Sequence, residues 1–168
     1  DLKGSCEGNR GETAGDPTEL ALKTLAAKAG YTDVAEQVDE LSFDSDRKRM
    51  TTIHRAEKGH VAYVKGAPDV VLGLCTKVLT ADGEVDISTL EAEIKKTNET
   101  YASDAMRVLG LAIRRLPDKY DMDHIEEELT FVGLTGIIDP ARDEVADSVK
   151  QCYGAGIRVV MITGDHAT

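Results

Sequence analysis

Between positions 41 and 65 lie three short segments, LSFD (41–44), RMTTIH (49–54) and VAYVK (61–65), each alternating or rich in β-branched residues and each separated from the next by a few turn-forming residues. Short, closely spaced runs of this kind read as antiparallel strands. RVLGLAIRRL (107–116) and LTFVGLTGII (129–138) read as further strands. The chain is therefore expected to be α+β, an antiparallel sheet flanked by helices.

The helices announce themselves by their ends. Asp16 is a capping residue type, Pro17 suits a first helical position, Glu19 follows three after the cap, and Gly30 stops an apolar face of Leu22, Leu25, Ala26 and Ala29. Pro68 opens a second, short helix, PDVVLGLC, and the Asp82-Gly83 pair marks a turn between short extended pieces. Ser88 and Glu91 have capping-box spacing, and Leu90, Ile94, Tyr101 and Ala105 recur at helical multiples behind them. The acidic stretch PDKYDMDHIEEEL (117–129) breaks the apolar pattern and is expected to be a solvated excursion.

After Asp139-Pro140 the pattern changes to strand, helix and strand. Residues 144–153 can be helical, Gly154 and Gly156 end that helix, and IRVVMI (157–162) is the continuous apolar run of a strand buried on both faces. Three divisions follow: a flexible lead-in over 1–15, a main domain over 16–135, and over 136–168 a β-α-β edge of a different, doubly wound domain.

Composition excludes several classes of function. A formal charge of -11 over 168 residues opposes general nucleic-acid binding. No run approaches the roughly 18 apolar residues that span a bilayer, and the first residues lack a signal peptide's basic and apolar regions, so the piece is expected to be soluble. Cys6, Cys75 and Cys152 are odd in number and widely spaced, which fits reduced thiols and no zinc site. His54, His60, His124 and His166 have no metal-ligand spacing, and no Walker A loop, G-x-G-x-x-G or H-E-x-x-H occurs.

Three features stand out chemically. VKGAPD (64–69) ends a strand on Lys65, where an ammonium can reach a ligand laid on the sheet, and Gly66 has no Cβ to obstruct close approach. FDSDRKRM (43–50) sets Phe43, one of two Phe in a chain without Trp, beside Arg47, Lys48 and Arg49. An aromatic ring can stack on a planar base while cations meet phosphate oxygens. ITGD (162–165) closes the last apolar run, at the carboxyl end where open parallel sheets bind ligands. Each has a plain alternative: a strand-turn-helix with a surface lysine, a core Phe beside a solvated basic turn, and an ordinary strand-ending turn.

In order along the chain, T-E-L-A-L, F-x-x-D-R-K-x-M, K-G-A-P, M-R-V-L-G-L-A, G-x-x-D-P-x-R and G-I-R-V-V-M-I-T-G-D closely resemble the P-type cation-transporting ATPases, most of all the calcium-pump branch. The resemblance implies the nucleotide-binding domain of such a pump, joined to a C-terminal β-α-β piece of the haloacid-dehalogenase-like phosphorylation domain. It implies that Glu19 contacts the adenine side of ATP, that Phe43 stacks on adenine, that Lys48 and Lys65 line the pocket beside Gly66, and that Arg107 reaches the phosphates. Asp139 would lie near the hinge, and Thr163, Gly164 and Asp165 would help hold the transferring phosphoryl group and its Mg2+ in the parent protein.

The implied partners are ATP or ADP and the remaining phosphorylation, actuator and transmembrane domains of one pump, at the cytoplasmic face of a membrane. Ser45 stands where relatives often carry an arginine, which removes one phosphate contact, and Ala141 replaces a second proline at the hinge. The D-K-T-G-T segment with the phosphorylated aspartate is not among these residues, so this piece is expected to bind ATP without turning it over. The competing readings are a fragment of a soluble haloacid-dehalogenase-type phosphatase and an interaction module without ligand.

Overall fold

The computed structural model describes residues 16–31, 35–138, 142–160 and 162. The chain separates into two compact units, 1–137 and 138–168.

The first unit is built on one seven-stranded sheet. Its strands are β1 (Gln37–Asp44), β2 (Arg49–Arg55), β3 (His60–Gly66), β4 (Cys75–Thr80), β5 (Gly83–Asp86), β6 (Arg107–Leu116) and β7 (Leu129–Ile137), in the spatial order β1-β2-β3-β6-β7-β4-β5. Every neighbouring pair is antiparallel except β4 with β7, which run parallel.

Register gives the sheet two faces. Ile53 pairs with Ala62, and Thr51 with Val64, which pairs in turn with Ala112. Paired residues share a face, and all five are buried. On this rear face lie α2 (Pro68–Gly73), contributing Val71 and Leu72, and α3 (Glu91–Ser103), contributing Ile94. Leu129 and Phe131 complete that core, each buried side chain contributing about 1.5–3 kcal/mol of transfer free energy. A second cluster joins Ile53, Ala62 and Leu116 to Ile125.

The first helix, α1 (Pro17–Lys28), begins as its sequence dictates. The Asp16 carboxylate accepts the Thr18 N–H at 2.7 Å, and Gly30 follows the helix at φ +80°, in the left-handed region that glycine tolerates. Backbone and side-chain hydrogen bonds from Thr18, and then the charges of Arg107 and Lys65, hold the Asp16 carboxyl below its usual value.

Two expectations are corrected in this unit. Ser88 does not cap α3: its hydroxyl and backbone N–H both donate to Asp86, at 2.6 and 2.9 Å, within a 3-10 turn at Ile87–Thr89. The helix then starts at Glu91 behind Leu90, without a side-chain cap. The acidic excursion is also not wholly solvated, because Ile125 is 1% exposed and Glu126 8%. Its apolar and acidic residues alternate closely enough for one side to enter the core while the rest meets water.

In the second unit, α4 (Val145–Gly154) occupies the expected helical stretch. It closes through Gly156, at φ +74°, with the Ile157 N–H donating to the Cys152 carbonyl at 2.8 Å. Residues 157–160 form no ladder, and Ile157, Val160 and Ile162 are exposed. A parallel strand needs neighbours to hydrogen-bond, and the described residues of this unit include none.

Candidate functional site

The opposite, front face of the sheet carries a different chemistry. Met50 pairs with Lys65 and Lys65 with Leu111, while Thr52 pairs with Tyr63 and Tyr63 with Ile113. These two rows, with Val132 at the β7 bulge, line a hollow of about 250 Å3 whose walls are mostly carbon. Tyr63 is 48% exposed there, and its ring meets His54 edge-on with centroids 5.4 Å apart. Among the described residues this is an apolar floor with a single cation, Lys65, in its lining.

Phe43 lies at an irregularity in the pairing of β1 with β2 and is not among the residues that line the hollow. Leu41 pairs with Thr51 and Asp44 with Arg49, so Ser42 and Phe43 together oppose Met50. A bulge of this kind re-aims a side chain, and Phe43 is 65% exposed, not part of the interior. It stands two strands from Lys65, about 10 Å at the spacing of a sheet.

Helix α1 supplies the polar margin. Lys65 pairs with Glu19, and Arg107 Nη1 donates to Thr18 Oγ1 at 3.2 Å. Glu19, Lys65 and Arg107 are thus brought together around the start of α1. Lys48 is exposed in the β1–β2 turn at φ +53°. Gly66 belongs to the buried alternation: a Cβ there would meet the Lys48 carbonyl oxygen at 2.4 Å and Arg49 Cβ at 2.6 Å. The steric demand for glycine at 66 therefore comes from the chain itself. Asp139, Thr163, Gly164 and Asp165 lie outside the described residues.

One group at this turn is not foreseen by motif or spacing. Glu126, from the acidic excursion, accepts Arg47 Nη1 at 3.1 Å, Arg49 Nε at 2.7 Å and Thr51 Oγ1 at 2.6 Å. Two of the three cations in the basic turn are thereby committed to a buried carboxylate, and Lys48 between them is not. The only sequence signal was an isoleucine-glutamate pair inside an acidic run, whose partners lie 75 to 79 positions away.

The family model described as P-type ATPase, cytoplasmic domain N matches residues 1–144. The chain belongs to the P-type ATPases. It is 42% identical over 167 residues to a calcium-transporting ATPase of Bacillus cereus, covering 94% of this chain and 19% of that protein. It is 40% identical over 169 residues to a calcium-transporting ATPase of Listeria monocytogenes, covering 95% and 19%. A cation-transporting ATPase of Synechocystis is 41% identical over 160 residues, covering 90% and 18%. The chain thus spans about a fifth of the length of these P-type ATPases. No helix among the described residues is long and apolar enough to cross a membrane.

Proposed function

We propose that this P-type ATPase domain binds ATP on the front face of its sheet and presents the γ-phosphoryl group to an aspartate elsewhere in the same pump, driving cation transport. What supports the reading is one arrangement: an exposed aromatic ring, an apolar hollow and a lysine follow each other along the register of Phe43, Met50, Lys65 and Leu111. A purine needs a ring to stack on and a dry floor, and its phosphates need positive charge at the margin.

In this scheme Phe43 stacks on adenine, Lys65 and Lys48 flank it beside Gly66, and Glu19 contacts the base edge. Arg107 at the margin meets the phosphates. Presentation of this kind works by positioning and charge neutralisation, without covalent work by the binding domain. Mg2+ would arrive on the triphosphate; among the described residues no three His, Cys, Asp or Glu side chains gather to hold a metal. Asp139, Thr163, Gly164 and Asp165 would serve the hinge and the phosphoryl group, in the first part of a haloacid-dehalogenase-like phosphorylation domain over 136–168. Domain 16–135 would bind ATP without turnover. Its relatives in Bacillus cereus and Listeria monocytogenes are calcium-transporting ATPases, which favours calcium as the transported ion.

Calorimetric titration with Mg-ATP tests this. Phe43→Ala should weaken binding by about 1–3 kcal/mol, roughly 5- to 150-fold, the worth of one base–aromatic stack. Equal affinity of the variant and the unaltered chain would remove Phe43 from the site.

A further inference from the structure

We infer that Glu126 is a positioning residue for nucleotide binding, acting from the rear of the sheet on the hairpin that carries Phe43 and Lys48; the inference rests on the nucleotide reading above. Glu126 is 8% exposed, and its carboxylate accepts from three side chains of one hairpin, Arg47, Arg49 and Thr51. The two arginines continue inward to the backbone. Arg47 Nη2 donates to the Ser42 carbonyl at 3.3 Å and to the Arg49 carbonyl at 3.4 Å, and Arg49 Nη1 donates to the Arg47 carbonyl at 3.2 Å.

Ser42 precedes Phe43 in the bulge, and Arg47 and Arg49 flank Lys48. One carboxylate thereby fixes, through two guanidinium groups, both the bulge that aims the ring and the turn that carries the lysine. Lys48 sits at φ +53°, a conformation that costs a non-glycine residue energy and persists only where its surroundings hold it. Its carbonyl is further tied to the Ala67 N–H at 3.0 Å. Two rigid guanidinium forks suit this work better than ammonium groups, because each makes several directed bonds at once. Glu126 touches no ligand in this account.

The test compares E126Q with V78A, a core variant on β4 that belongs to the other buried cluster and lies strands away from the β1–β2 hairpin. Backbone amide spectra and Mg-ATP affinity are measured on each, at a temperature where circular dichroism shows both folded. E126Q should shift the amides of residues 42–48 and weaken ATP binding at least fivefold, whereas V78A should leave both near their starting values. R47K, which keeps the charge but loses the fork to the Ser42 carbonyl, should also weaken binding, and serves if E126Q does not fold. Unchanged ATP affinity in E126Q, or in R47K where E126Q is unfolded, overturns the inference and leaves the nucleotide reading standing. An unaltered chain that does not respond to ATP overturns both.

Discussion

Lys65 Nζ on β3 donates to Glu19 Oε1 on α1, joining the centre of the front face to a helix 46 positions earlier in the chain. The lysine side chain is 24% exposed and the glutamate 45%, so solvent screens the pair. It is worth at most ~1 kcal/mol. Glu19→Gln should therefore change stability by less than about 1 kcal/mol in urea unfolding, while Lys65→Glu, which sets two carboxylates against each other, should cost more and also weaken ATP binding. Equal effects of the two variants on stability would show that the contact does not form in solution.

Gly66 and Gly73 make an internal comparison. A methyl at 66 would strike the Lys48 carbonyl oxygen, tied to the Ala67 N–H, and Arg49, held by strand pairing, whereas a methyl at Gly73 meets nothing within 4 Å. Gly66→Ala should lose roughly 1–3 kcal/mol by overpacking. Gly73→Ala, at the end of α2, should be neutral or gain up to about 1 kcal/mol from helix propensity. Chemical denaturation of both proteins checks the contrast.

His124 offers a titration. The hydrogen bond and charge of Glu127, then the charges of Asp121 and Asp123, raise its pKa above 6.5. A folded-state value above the unfolded one means that the His124 contribution is fully present below pH 6.5 and is lost as pH rises through the folded value. An NMR titration of the ring should give a midpoint above 6.5, and Glu127→Gln should bring it down. A midpoint unmoved by that substitution would contradict the contact.

Burial pushes the Cys75 thiol up to about 12, and only the thiolate is a nucleophile. Iodoacetamide at pH 8 should leave Cys75 unmodified in the folded protein and alkylate it once urea unfolds the chain, whereas Cys152, only partly buried, reacts in the folded state. Peptide mapping reads both positions.

What the sequence discloses tracks how local its cause is. Asp16, Pro17 and Gly30 mark α1 because cap, first position and stop act within one turn of chain. The β1–β2–β3 hairpins are legible from alternation alone. Ser88 and Asp86 are both good caps two residues apart, and the choice between them belongs to the 3-10 turn, not to either residue. Phe43 was legible as an aromatic beside cations, but not the bulge that turns it outward, since a bulge is a property of two strands. The parallel β4–β7 pair and the Glu126 clamp depend on residues brought together from far along the chain, which no local periodicity encodes. Charge counting treated residues 126–128 alike, yet Glu126 is buried and Glu128 exposed.

The central claim is that ATP lies on the front face, and amide spectra recorded with increasing Mg-ATP test it most directly. The account predicts saturating shifts at Phe43, Met50, Lys65 and Leu111, with Val71, Leu72 and Phe131 behind the sheet little changed. Spectra unaltered at millimolar Mg-ATP, or shifts confined to the rear face, would contradict it.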